Sequence, residues 1–131
     1  MSNYLYTADI NNPKAKVKVN LFLIHFQDEN KVHFVFSPHL DLTGYGYTLK
    51  DAKKSFTIVL DDFIDYTLNK KTISKVLADL GWKSKGTAKK PARLIAPSIT
   101  SVIGKNKYVS EIFDKHAVQT FHQEVELPVM V

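Results

Sequence analysis

Ser37-Pro38-His39-Leu40-Asp41-Leu42-Thr43-Gly44-Tyr45-Gly46-Tyr47-Thr48-Leu49-Lys50-Asp51-Ala52 is the stretch whose reading decides the fold. Pro38 lacks the amide donor of a strand ladder, so an upstream strand must stop or bulge there. Leu40 to Tyr47 reads as a short strand punctuated by Gly44 and Gly46, where glycine marks a bulge or the close approach of another backbone. Thr48 is a helix N-cap, its hydroxyl placed to accept an amide of the first turn. Asp51, three residues on, makes an approximate capping box, with Asp shorter than the preferred Glu. From there Leu49, Ala52, Phe56, Val59, Leu60, Phe63 and Thr67 recur at spacings of three and four, one face of a helix running to Asn69. Lys50, Lys54, Asp61, Asp62 and Asp65 fall opposite, and Ile58 is a lone apolar residue on that polar side or part of an oligomer contact.

Upstream, Lys16 to Phe26 alternates like a strand, with Val17, Val19, Leu21 and Leu23 on one parity. Its second half is apolar on both parities, as expected of a central strand. Gln27 to Lys31 reads as a hairpin turn with Asn30 left-handed, and Val32 to Phe36 as the return strand. Met1 to Ala15 is a loose polar lead-in in which Tyr4-Leu5-Tyr6 can form a short strand. Downstream, Lys70-Lys71 closes the long helix, since cations suit a C-terminus. Thr72 caps a short helix from Ile73 to Leu80, and Gly81 is its left-handed stop. Trp82 is expected to close the core. Lys83 to Arg93 reads as a basic linker. Short helices follow from Ile99 to Ile103 and around Tyr108 to Phe113, with Gly104-Lys105-Asn106 between them. Thr120 to Leu127 alternates Phe121, Val125 and Leu127 with polar residues, so it is expected to add a strand to this chain's sheet or a neighbour's, ending before Pro128.

The fold class is therefore α+β: a small antiparallel sheet of three or four strands, one long helix on one face, and a C-terminal extension of short helices and a strand. The expected division is an α+β domain at 1–82 and a basic linker with an accessory segment at 83–131. The chain has 131 residues and no cysteine. That length can bury a core without disulfides, and the absence of thiols fits a reducing compartment and excludes thiol catalysis, thiolate zinc sites and iron–sulfur clusters. No opening signal segment and no long apolar run are visible, so a cytoplasmic protein without a membrane partner is expected. Net charge is +5, yet Lys70 to Lys107 carries ten basic residues against the single acid Asp79. Such asymmetry is a footprint for a polyanion or an acidic protein surface, or else a solvated linker.

The strands-turn-helix region, Val17 to Leu68, resembles the HicB antitoxin-like domain. That family's pattern of proline, leucine and glycine before the third strand is matched by Pro38, Leu40 and Gly44. Its next run, glycine, any residue, threonine, two variable residues, an acid and alanine, is matched by Gly46, Tyr47, Thr48, Leu49, Lys50, Asp51 and Ala52. Two positions differ: Asp51 stands where Glu is usual, and Tyr45 where a cysteine is usual. The resemblance implies a shortened ribonuclease H-like fold and a bacterial toxin–antitoxin protein that neutralises a HicA-like RNA-cleaving toxin. It also implies a homo-oligomer. The family's DNA-binding ribbon-helix-helix or helix-turn-helix pattern is not visible in residues 83–131.

No catalytic residue, metal ligand or cofactor is assigned. Two-metal nucleases need clustered carboxylates on the central strands, and here the first strand has none and the third only Asp41. His25, His33 and His39 fall near one short sheet, with His25 and His33 facing across the hairpin. Such histidines are more often packed or surface groups than ligands. Gly44, Gly46, Thr48, Asp51 and Ala52 form a structural corner. Tyr45, Tyr47, Lys50, Lys54, Lys83, Lys85, Lys89, Lys90 and Arg93 are the candidate partner or nucleic-acid surface. Tyr66 and Lys53 add to a base-stacking alternative, although Tyr45 and Tyr47 filling a strand edge is preferred. The expectation is a non-catalytic HicB-like binding protein masking a HicA-like toxin. The alternative is a stand-alone RNA- or DNA-binding protein using residues 70–107.

Overall fold

The structure is a computed structural model that describes residues 4–6, 14–87 and 90–130, with side chains over 17–83 and 94–128. Most of the lead-in expected over Met1–Ala15 lies outside the described residues. The elements are β1 (Tyr4–Tyr6), β2 (Lys14–Gln27), β3 (His33–Ser37), β4 (Leu42–Gly46), α1 (Leu49–Asn69) and α2 (Ile73–Asp79). They continue with β5 (Lys83–Thr87), β6 (Lys90–Ile95), α3 (Ile99–Lys105), α4 (Lys107–Lys115) and β7 (Val118–Met130).

The architecture is α+β, and β2 is its axis. On one edge β7 runs antiparallel along β2 from Lys14↔Met130 to Phe26↔Val118. On the other edge β1 lies opposite 15–17 and β3 opposite 24–27. The sheet is thus four strands wide, β7-β2-β3-β4, with β1 and β3 sharing one edge of β2. Between them, residues 18–23 of β2 have no strand partner on that edge among the described residues; His39, Trp82, Leu94 and Ala96 line the space beside Lys18 to Leu21.

Strand parity decides the two faces. Leu21 and Leu23 of β2, with Val35, Val125 and Leu127, meet Ala52, Phe56 and Leu60 of α1 and Ile73 and Leu77 of α2. Ile24 and Phe26, with Phe36, meet Val109 and Ile112 of α4. Both faces are covered, which is why the second half of β2 is apolar on both parities. Burying a side chain such as Phe56, fully enclosed, stabilises by about 2–3 kcal/mol. Ile58 is exposed on the polar side of α1.

Local chemistry departs from expectation in several places. In the β2–β3 turn the left-handed residue is Lys31, φ 63°, and not Asn30. The Asp28 carboxylate sets this by accepting from Asn30 N at 2.9 Å and Val32 N at 3.0 Å, an Asx turn that carries the left-handed step one residue further. β4 is shorter than Leu40–Tyr47 because Ser37 to Asp41 forms a closed turn, Asp41 N donating to Ser37 O at 2.8 Å, with Leu40 buried inside it. Thr72 makes no side-chain cap to α2. Its carbonyl accepts Val76 N at 2.8 Å instead.

The segment expected to be a linker, Lys83 to Arg93, belongs to the two-stranded hairpin β5–β6, with Lys83↔Ile95, Ser84↔Leu94 and Lys85↔Arg93 in register. Basic composition concealed a β-ribbon because neither strand shows an apolar alternation. α3 runs through Gly104 to Lys105, and Asn106 then caps α4, its side-chain oxygen accepting Tyr108 N at 3.0 Å. β7 does not stop before Pro128 but continues to Met130.

Candidate partner-binding surface

The corner from Gly44 to Ala52 is built by backbone contact. A Cβ on Gly44 would lie 2.8 Å from Ala52 O and collide with the backbone of Phe56, and one on Gly46 would lie 2.8 Å from Ala52 N. Both glycines face α1, so the helix rests directly on β4. Ala52 is fully buried there. The Thr48 hydroxyl accepts Asp51 N at 3.0 Å, and Ala52 N donates to Thr48 O at 2.9 Å. The cap is one-sided: among the described residues Asp51 contributes its N–H and makes no return bond to Thr48 N. Its carboxylate still suits the positive end of the helix.

This rigid corner presents two tyrosines to solvent. Tyr45 is 65% exposed and Tyr47 83% exposed. Tyr45 is anchored at both ends. Its N–H, on the outer side of β4, donates to Ser55 Oγ at 3.1 Å. Its ring ends a row on the α4 face of the sheet: Phe34 at 6.2 Å, then Phe26 stacked on Phe34 at 5.1 Å, then His116 on Phe26 at 5.0 Å between centroids. Lys50 and Lys54 are exposed on the first turns of α1. Lys83 is exposed at the start of β5, and the side chains of Lys85, Lys89, Lys90 and Arg93 lie outside the described residues. Tyr66 is exposed far along α1, with Lys70 Nζ 6.0 Å over its ring, and Lys53 Nζ lies 4.7 Å over Phe121.

Residue-by-residue reading missed Ser55, Phe34 and His116. Phe34 was legible, since a hairpin turning at 28–31 sets Phe26 against Phe34. His116 was not, because only the packing of α4 brings it there.

The three strand-region histidines do not converge. His25 Nε2 and His33 Nδ1 lie 2.9 Å apart with near-parallel rings; the register sets His25 opposite Val35 and His33 opposite Gln27, so the rings meet as diagonal neighbours on one face and not as a directly facing pair. One ring must donate and the other accept, so the neutral pair shares a single proton there. Burial holds the His25 pKa below its ordinary value; the Gln119 side chain opposes this, and His33 and Lys53 reinforce it. His39 is elsewhere. It is buried, with Nε2 donating to Pro97 O at 2.8 Å, and its backbone carbonyl accepts Trp82 Nε1 at 2.8 Å. Burial lowers its pKa too, with the Pro97 bond opposing. Trp82 closes the core, as expected.

Among the described residues no three of His, Asp or Glu gather into a group able to hold a metal ion. None of the described helices is long and apolar enough to cross a membrane. The chain matches no protein-family model, no curated protein and no solved structure.

Proposed function

We propose that this chain is a non-enzymatic binding module of HicB-like type, which masks a protein partner with the outer side of β4 and the start of α1 and needs no cofactor. The observation that carries this reading is the pair of exposed tyrosines, Tyr45 and Tyr47, held on a corner whose backbone cannot yield. Exposed tyrosines on rigid backbone are the anchors protein interfaces favour, because they bury large area at small entropic cost. The partner meets side chains there, since the Tyr45 N–H is already taken by Ser55. The resemblance implies that this partner is a HicA-like toxin in the cytoplasm.

The test is co-purification with a small RNA-cleaving toxin encoded beside the gene, and rescue of growth arrested by that toxin. Binding and rescue are expected. Tyr45→Ala with Tyr47→Ala should weaken binding by about 2 kcal/mol or more while costing the fold no more than about 1 kcal/mol, the loss of the Tyr45–Phe34 cross-strand pair. Absence of both binding and rescue rejects the antitoxin role.

A second reading, nucleic-acid binding through the basic segment, is favoured by one observation. β5–β6 sets Lys85 directly opposite Arg93 in register. The ribbon thus collects basic residues on one short unit, and such a concentration suits a polyanion. A two-stranded ribbon also fits the major groove of DNA. Phosphate-driven affinity must fall steeply with salt, so a titration with duplex DNA and with RNA showing no binding at low salt dismisses this reading.

A further inference from the structure

The two outer edges of the sheet are not alike. Asp28 N donates to Val32 O at 3.0 Å in the β2–β3 hairpin, so the even-numbered residues of β2 point their backbone groups at β3. Alternation then turns the odd-numbered residues of β2 towards β7. The register Val17↔Leu127, Val19↔Val125, Leu21↔Gln123, Leu23↔Phe121 pairs odd with odd. The N–H groups of Val118, Thr120, His122, Glu124 and Glu126 therefore point outward. Pro128 agrees independently: a proline is tolerated in a ladder where its missing N–H faces the open edge, and 128 is even. The edge at β4 is five residues long, and its Tyr45 N–H is closed by Ser55. The edge at β7 is thirteen residues long, and none of its outward N–H groups has a hydrogen-bond partner among the described residues.

We propose that β7 pairs antiparallel with β7 of a second copy of this chain, about a two-fold axis through Gln123. Charge and face select that register. It sets His122 opposite Glu124 twice by symmetry, Thr120 opposite Glu126, and Phe121 opposite Val125 on the α1 face. An axis at residue 124 sets Glu124 against itself. An axis at 125 sets Glu124 against Glu126. An axis at 122 keeps the acids apart but opposes Phe121 to Gln123. In the chosen register the pairs 122 with 124 and 120 with 126 fall on outward-facing residues and each exchanges both bonds; the end pair, Val118 with Pro128, has one bond fewer because proline gives no amide. The sheets of the two copies become one, and the outer side of each β4 stays open. The dimer is independent of what β4 binds.

The chain has no cysteine, so single-cysteine variants read the register directly. Residue 123 is a non-hydrogen-bonded pair on the axis, with Cα atoms about 4.5 Å apart, within disulfide reach. Under mild oxidation Gln123→Cys is expected to cross-link to a dimer, and Glu126→Cys, which faces Thr120, is not. Sedimentation of the unmodified chain should show a dimer. Glu124→Lys, an exposed change that leaves the fold intact, should weaken it about tenfold, because the two carboxylate acceptors opposite His122 are replaced by two ammonium groups that cannot accept. A chain that sediments as a monomer throughout overturns the proposal. So does a dimer whose Gln123→Cys variant cross-links no faster than Glu126→Cys, or one that Glu124→Lys leaves equally tight.

Discussion

Gly44 and Lys71 occupy positions with opposite tolerance, and each makes a prediction. Gly44 is required for space: any Cβ there meets the backbone of Phe56. Helix backbone cannot swing aside as a flexible side chain can, so Gly44→Ala should destabilise by about 3 kcal/mol or more; urea unfolding measures it. Lys71 is the reverse case. α1 ends in a Schellman motif, with Thr72 N donating to Thr67 O at 2.8 Å and Lys71 N to Leu68 O at 3.0 Å. The left-handed position of that motif is Lys71, φ 57°. α2 ends in the same motif, Trp82 N to Leu77 O and Gly81 N to Ala78 O, but with Gly81 at φ 96°. Lys71→Gly should therefore stabilise by about 1 kcal/mol, the relief of a left-handed non-glycine residue less the added chain entropy. A higher urea midpoint at unchanged slope is the expected reading.

At the scale of elements, α1 owes its start to one side chain. Thr48 Oγ1 accepts a single amide at 3.0 Å, with no carboxylate returning the bond. Thr48→Ala should then cost about 1 kcal/mol, and an Asp51→Ala variant only a few tenths; thermal melts of the two separate the cap from the charge. The stripe Ala52, Phe56, Leu60 and Thr67 was legible because helical periodicity is a local property. β5–β6 was not legible, because a polar ribbon has no alternation to read. Its existence rests on cross-strand hydrogen bonding and on the contact of β6 with β2.

At the scale of the whole molecule, acid should loosen the fold. Burial holds His25 and His39 below their ordinary pKa. In the unfolded chain both titrate near 6.5. As pH falls below that value the unfolded state binds more protons than the folded one, so stability falls. It is fully present above about 6.5 and levels off once the folded-state imidazoles have themselves protonated. Urea midpoints at pH about 7.5 and about 5.5 should differ in that direction, and His39→Gln should shrink the difference. Equal midpoints would mean that neither imidazole resists its charge in the fold.

What the sequence by itself determined was local: the strands and their parity, the glycine corner, the threonine cap, the apolar stripe and the left-handed stop at Gly81. Each depends on the conformational freedom or periodicity of residues within a few positions of one another. Tertiary structure alone decided the rest. It paired the last strand with β2 of the same chain, separated His39 from the His25–His33 pair, and brought His116 to the aromatic row. Those outcomes join residues far apart in the chain. Strand alternation says which face a side chain takes but not which distant strand lies beside it, because backbone donors and acceptors are alike in every strand.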